Sequence, residues 1–317
     1  MMLSMKRLLK NMLAWVPNNT NGSNDIPTEN DYASKLSFLW DNGRRFQAVK
    51  NAAYVLPNDD QEIDHMHQQH WMLKHAFKGN HQAPVTNLLE QKAKEMAEAF
   101  PNSEFYGIDL SPVFPQSIKP PNTCFYRHNL ADRLPFGDNT FDFVYQRLLM
   151  FGIKSEEWMP VMKELYRVCK PNGWIELVEV DLKLHRRGAR TKQLISQSQL
   201  VLQARGLNPF VAGELENILK ESGFKDVKHT YVSLPVNWGG QMGQLQMENT
   251  LDLFQSAKPW FSRIIGKESD EYDEQLAAFL GECASNKSYV NWHCAYGRKP
   301  DETPSPGTCT SPEDLLI

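Results

Sequence analysis

Between about Tyr32 and Lys299 the apolar period switches repeatedly between helical and strand-like spacing, which predicts an alternating α/β fold on a mainly parallel sheet. Two local features point the same way. The stretch FYGIDLSP, Phe105 to Pro112, reads as a short buried strand closing on an acidic residue, Asp109. Between Phe141 and Val178 a strand, a helix, a Pro-Asn-Gly turn and a second strand follow in order, the pattern of one right-handed crossover unit.

From the start of the chain, Met1 to Trp15 is short, basic and amphipathic, with Lys6, Arg7 and Lys10 beside Leu8, Leu9, Met12 and Leu13. It reads as a surface helix or a frayed tail, since an organelle presequence is usually longer and richer in Arg and Ser. Pro17 to Asp31 is rich in Asn, Thr, Gly and Ser and reads as a linker, so residues 1–31 are expected to be a disordered N-terminal segment and 300–317 a disordered tail. The folded domain is expected over residues 32–299.

Within it, Lys92 to Phe100 places Ala93, Met96, Ala97 and Phe100 on one helical face and stops before Pro101. Strands follow at Phe105–Ile108, Thr123–His128 and Phe141–Tyr145, the last introduced by a turn at Gly137–Asn139. The clearest helix has Ser155 as N-cap, Glu156 and Glu157 in its first turn, and Trp158, Val161, Met162, Leu165 and Val168 on one face. Pro160 is placed to bend it near the start, and Pro171, Asn172 and Gly173 stop it. The apolar strand Trp174–Val178 then closes on Glu179 and Asp181. Helices at Thr191–Ala204 and Gly213–Ser222, a strand at Lys225–Val236, a helical region through Cys283 and a last strand at Tyr289–Tyr296 complete the pattern. The final two strands suit an antiparallel hairpin at the sheet edge, with an insertion between them covering a site.

Composition narrows the function. A net charge of -4 leaves no global basic field, so nucleic-acid binding is not indicated. The five cysteines show no CxxC pair or framework spacing, which points to reduced thiols in a cytoplasmic or nuclear setting and against a zinc site. No apolar run approaches the roughly 20 residues of a membrane span.

Four passages, in order, carry a family resemblance: LPNDDQEIDHMHQQHWMLKHAF at Leu56–Phe77, AFPNSEFYGIDLSP at Ala99–Pro112, LPFGDNTFDFVYQR at Leu134–Arg147 and ELYRVCKPNGWIELVEVD at Glu164–Asp181. With them the sequence resembles class I S-adenosylmethionine-dependent methyltransferases, within the fungal group that includes regulators of secondary metabolism found with velvet proteins. The resemblance implies a Rossmann-like seven-stranded sheet with flanking helices and cap insertions at about 182–212 and 238–285. It implies S-adenosyl-L-methionine as cofactor, a small-molecule or protein methyl acceptor, and a regulatory protein partner as the noncatalytic alternative. Methyl transfer from a sulfonium is an in-line displacement, so no covalent nucleophile is needed and no catalytic residue is assigned.

By the same resemblance Asp109, with Leu110, takes the place that holds the cofactor ribose; as a plain reading, Asp109 caps the turn before Ser111 and Pro112. Asn129 and Leu130 take the place beside the adenine, where an Asn is also an ordinary turn residue. Tyr145, Gln146 and Arg147 lie at the carboxyl edge, with Gln146 expected near the methionine moiety.

One part of the pattern is missing. There is no glycine between Gly79 and Gly107, and LLEQ runs straight into the helix at Lys92, so roughly 15 residues with the family's first strand and glycine-rich loop are absent. The sheet must lack or substitute that strand, because losing it leaves its neighbours about 9 to 10 Å apart. A skipped exon or imperfect gene model, a pseudoenzyme, or another segment such as Ala52–Leu56 or Pro84–Leu89 in the vacant position each explain the gap. The abruptness of the cut favours the first.

The remaining clusters read as follows. His65, His67, His70, His75 and His81 lie close in sequence, but without HExxH or a nearby Cys they do not make a metal motif. Asp59, Asp60, Glu62 and Asp64 suit a helix N-terminus. Arg44 and Arg45 match a basic pair of the family or are surface residues. Trp238–Gly243, with Met247 and Trp260, reads as a substrate lid or as core filling.

Overall fold

A computed structural model of the chain describes residues 12–17, 38–47, 54, 56–86, 102–111, 114 and 119–301. The helix expected at Lys92–Phe100, the linker after Pro17 and the tail from residue 302 lie outside them. Nine strands are described: β1 (Met12–Pro17), β2 (Phe38–Asp41), β3 (Arg44–Gln47), β4 (Ser103–Asp109), β5 (Thr123–Arg127), β6 (Phe141–Arg147), β7 (Cys169–His185), β8 (Lys225–Pro235) and β9 (Tyr289–Arg298). Seven of these form one sheet in the order β5-β4-β1-β6-β7-β9-β8, and β2 and β3 pair as a separate hairpin.

β4 is parallel to β5 and β6 to β7, while β9 runs antiparallel to both of its neighbours. The hairpin of β8 and β9 at the edge, with an insertion between its strands, is the arrangement the sequence predicts.

The vacant central position is filled by a segment expected to lie outside the fold. β1 pairs antiparallel with β4, Leu13 opposite Gly107 and Pro17 opposite Ser103, and antiparallel with β6, Met12 opposite Gln146 and Trp15 opposite Phe143. For Met12–Pro17 this corrects the reading as helix, frayed tail or disordered segment; residues 1–11 and 18–31 lie outside the described residues. It also displaces the other candidates for the slot, since Tyr54, Leu56 and Pro84–Thr86 are not in strands. The physical reason is the ladder. Two strands separated by an empty position leave facing rows of unpaired N–H and C=O groups, and a short apolar segment satisfies both rows in either direction.

Six helices are described: α1 (Asp60–Ala76), α2 (Trp158–Val168), α3 (Ala189–Ala204), α4 (Leu215–Glu221), α5 (Gln241–Ile264) and α6 (Ser269–Asn286). On one face of the sheet Val161, Met162 and Leu165 of α2 and Leu215 and Leu219 of α4 bury against Ile175 and Leu177 of β7 in the main core. On the opposite side Met72 and Leu73 of α1 pack with Leu234 and Trp292. Leu194, Phe254, Tyr272 and Phe279 make a further core among α3, α5 and α6.

Two local expectations change. Ser155 does not cap α2: it begins a short 3-10 turn and its hydroxyl donates to Gly206 O at 2.9 Å, while the Glu157 carboxylate accepts the Lys154 N–H. Pro160 falls in the first turn of α2, where its missing N–H has no helical partner to lose, and the helix runs on unbroken. The Pro-Asn-Gly segment does end α2, but it bulges out of the start of β7, where the register shifts between Phe141 and Phe143. Gly173 is required there, because a Cβ would stand 2.8 Å from Lys170 O and 2.9 Å from Cys169 Sγ.

Candidate functional site

The carboxyl ends of β6 and β7 border a cavity of about 70 Å3, covered by α1 and α5. Open α/β sheets bind ligands at this edge. Its wall is mainly apolar and aromatic, with a few buried polar groups, the usual chemistry of a small-molecule site.

One polar group of the wall is Glu62, 2 % exposed on the first turn of α1. Its Oε1 lies 3.0 Å from His65 Nδ1, and its Oε2 accepts the Ser256 hydroxyl at 2.6 Å. His65 Nε2 in turn meets Asn249 Oδ1 of α5 at 3.0 Å, and Gln69 Nε2 donates to the same oxygen at 2.8 Å. Burial alone would depress the His65 pKa; the Glu62 carboxylate outweighs it and holds the imidazole above its ordinary value. The chain of partners ties α1 to the insertion helix that covers the cavity.

Arg44 extends this network outward. Its Nε and Nη2 grip Asp59 at 2.6 and 3.0 Å, and Nη2 lies 3.6 Å from Glu62. Asp59 is the N-cap of α1, accepting the Glu62 N–H at 3.0 Å, so the acidic cluster does serve the helix terminus. Arg45 donates to the Asn58 side chain at 3.0 Å. The pair is therefore tied to the start of α1 and the segment before it rather than standing free on the surface.

Deeper in the sheet, Glu179 is fully buried and accepts the Leu149 and Met150 N–H groups at 2.8 and 3.3 Å. Burial pushes its pKa up to about 8. Glu176, on the opposite face, accepts the Gln82 and Ala83 N–H groups at 2.7 Å each and is raised by burial to about 7. These two carboxylates anchor loops to the sheet.

The residues named from sequence divide in two. Asp109 and Leu110 stand at the carboxyl end of β4, and Asn129 and Leu130 follow directly on β5, where the His128 N–H donates to Asp109 O at 3.1 Å. Asp109 Oδ1 accepts the Ser111 N–H at 2.7 Å, and Asn129 Oδ1 accepts the Ala131 N–H at 3.2 Å, so both side chains have turn partners. Leu110 O accepts from Arg127 Nε, and Leu130 packs on the main core. Gln146 is fully buried on β6 with its amide turned toward Glu179, outside full hydrogen-bond geometry. It is separated from β4 by β1, hence by two strand spacings, about 9 to 10 Å.

Tyr54 links the two regions. It lines the cavity, and burial together with the Glu62 and Asp109 carboxylates pushes its hydroxyl well above the ordinary range. Sequence reasoning did not single out Glu62, Asn249 or Asp181 as cavity residues. The first was absorbed in an acidic helix start, and the others are brought in by helix and strand ends far apart in the chain.

Of the histidine cluster, His70 is buried against Arg147. Arg147 Nη1 contacts His70 Nδ1 at 3.3 Å, and burial, helped by Arg147, lowers the His70 pKa to about 3. Trp238–Gly243 is a tight entry to α5 rather than a lid: Trp238 Nε1 donates to Ser288 O, and a Cβ on Gly243 would fall 1.5 Å from Trp238 O.

The cofactor implied by the resemblance fits this edge only in part. At the position the resemblance assigns to the ribose, the Asp109 carboxylate closes a turn with the Ser111 N–H. On its methionine side, β1 enters the sheet at the carboxyl edge and leaves at Pro17, opposite Ser103 at the amino end of β4. A reversed strand does not itself lead into a loop and helix N-terminus at the carboxyl edge, so among the described residues β1 fills the strand position alone.

Residues 89–177 match a family described as a methyltransferase domain. The chain is 25 % identical over 270 residues to the N-methyltransferase sirN of Leptosphaeria maculans, covering 78 % of this chain and 95 % of that protein. It is 26 % identical over 311 residues to the secondary metabolism regulator laeA of Aspergillus fumigatus, covering 88 % of this chain and 82 % of the relative. Among solved structures, a putative sarcosine dimethylglycine methyltransferase from Galdieria sulphuraria matches with a TM-score of 0.41 and 15 % identity, covering 78 % of this chain and 94 % of that one.

Proposed function

We propose that the chain is a class I S-adenosylmethionine-dependent methyltransferase of the fungal secondary-metabolism group, pairing an acceptor chamber with a reduced cofactor grip. The chamber is the cavity over β6 and β7, lined mainly by apolar and aromatic side chains with a few buried polar groups. The cofactor supplies the methyl group to be transferred. This chain's own contribution is to enclose the acceptor and exclude water, with Asp109 retained at the ribose side.

The carrying observation is the cavity itself, closed over by α5 and joined to the strand edge through Tyr54. Titration of the purified chain with labelled S-adenosylmethionine tests the reading. Binding in the millimolar range is expected, followed by slow labelling of acceptors. Absence of binding at millimolar cofactor would end the transfer reading.

A second reading is favoured by β1. A central strand taken from the chain's own N-terminal segment restores the sheet without its loop, as suits a noncatalytic protein that keeps the fold to bind a small molecule or a regulatory partner.

A further inference from the structure

The cavity contains one acidic group that the network around Glu62 does not use. Asp181, near the carboxyl end of β7, lines the cavity and is 5 % exposed. Its Oδ1 has no hydrogen-bond partner among the described residues. A buried carboxylate oxygen left unpaired is costly, and a structure that keeps one in the wall of a cavity has a position for a donor there.

The basic groups within electrostatic reach do not supply that donor. Lys183 is exposed and places its ammonium over the Phe210 ring at 5.3 Å. His185 stacks on Tyr289, and its Nε2 meets the Asn291 amide at 3.1 Å. They lower the Asp181 pKa only partly, and burial, the larger influence, leaves it above the ordinary carboxylate range.

The remaining charges of the cavity wall are matched. Glu62 has His65, Ser256 and Arg44 as partners. The surplus at the wall is therefore one acidic group. Around the same space stand Tyr54, Phe151, Phe254, Phe279 and Trp292, whose ring faces attract cations. A lone carboxylate among aromatic rings is the chemistry that binds an ammonium group carried on an apolar body. A carboxylate-bearing ligand would meet repulsion, and a neutral alcohol would leave the charge uncompensated.

We propose that the cavity selects an alkyl- or arylalkyl-amine, with Asp181 as the anchor of its ammonium group. The proposal rests on reading the cavity as a small-molecule chamber, and it holds whether or not methyl transfer follows.

The test uses the full chain without S-adenosylmethionine. Phenethylamine, 2-phenylethanol and 3-phenylpropionate, matched in their apolar part, are titrated calorimetrically at neutral pH. The expected result is amine binding at least about tenfold tighter than the alcohol, with the carboxylate weakest. In Asp181→Asn the preference for amine over alcohol should disappear while alcohol binding persists. Equal binding of amine and alcohol by the unaltered chain, or no amine binding at millimolar concentration, overturns the proposal without any variant. Survival of the preference in a folded Asp181→Asn overturns it as well. Amine selectivity with no cofactor binding would sink the transfer reading alone, and cofactor binding without amine selectivity would sink this one alone.

Discussion

Buried charge in this molecule is settled residue by residue, and His65 shows the balance most plainly. Desolvation pushes its pKa down, and the Glu62 carboxylate at 3.0 Å more than reverses it. In Glu62→Gln the imidazole should titrate at lower pH, read by NMR; an unchanged midpoint would show that the pair does not couple. Glu179 carries a pH dependence of its own. Its folded pKa of about 8 lies above the ordinary carboxylate value of 4.5, so the neutral form is favoured by folding. Its contribution is fully present below about pH 4.5 and is lost as pH rises through 8. The Tm advantage of the unaltered chain over Glu179→Gln should therefore shrink by on the order of 3 °C or more between pH 5 and 8, as followed by calorimetry. A constant or growing advantage would contradict the assignment.

Elements are where sequence and structure part company. β1 sits between β4 and β6 with Ala14 opposite both Tyr106 and Val144, a position that tolerates no loss of a backbone donor. Ala14→Pro should cost about 3 kcal/mol, seen as a lower denaturant midpoint, whereas in a frayed tail it would cost nothing. The expectation of a tail followed from local pattern: six residues flanked by a polar linker have no periodic signal of their own, and only the unfilled ladder gives them a place. By contrast β4, β5, β6, α2 and the β8–β9 hairpin were legible because each carries its own apolar pattern and turn residues. Gly243 is an intermediate case. The glycine cluster reads as a loop, but the reason for Gly243 is the close approach of Trp238 O. Gly243→Ala should therefore lower the Tm by several degrees through displacement of the α5 start.

For the molecule as a whole, the family resemblance and the edge hairpin with its insertion were within reach of the sequence, and the assembled cavity was not. Asp109 and Asn129 could be placed at strand ends from motifs alone, but whether their side chains serve a ligand or a turn depends on neighbours two residues away. The cavity unites Glu62, Asp181 and Asn249 from three distant segments, which no local motif records. The least expected feature of the described residues is the reversed strand at the centre of the sheet, which rebuilds the ladder between β4 and β6. Hydrogen exchange of the peptide spanning Met12–Pro17, read by mass spectrometry on the intact chain, addresses that directly. The expected result is protection comparable to that of β4 and β6. Exchange of Met12–Pro17 at the rate of an unstructured peptide, with β4 and β6 still protected, would contradict it.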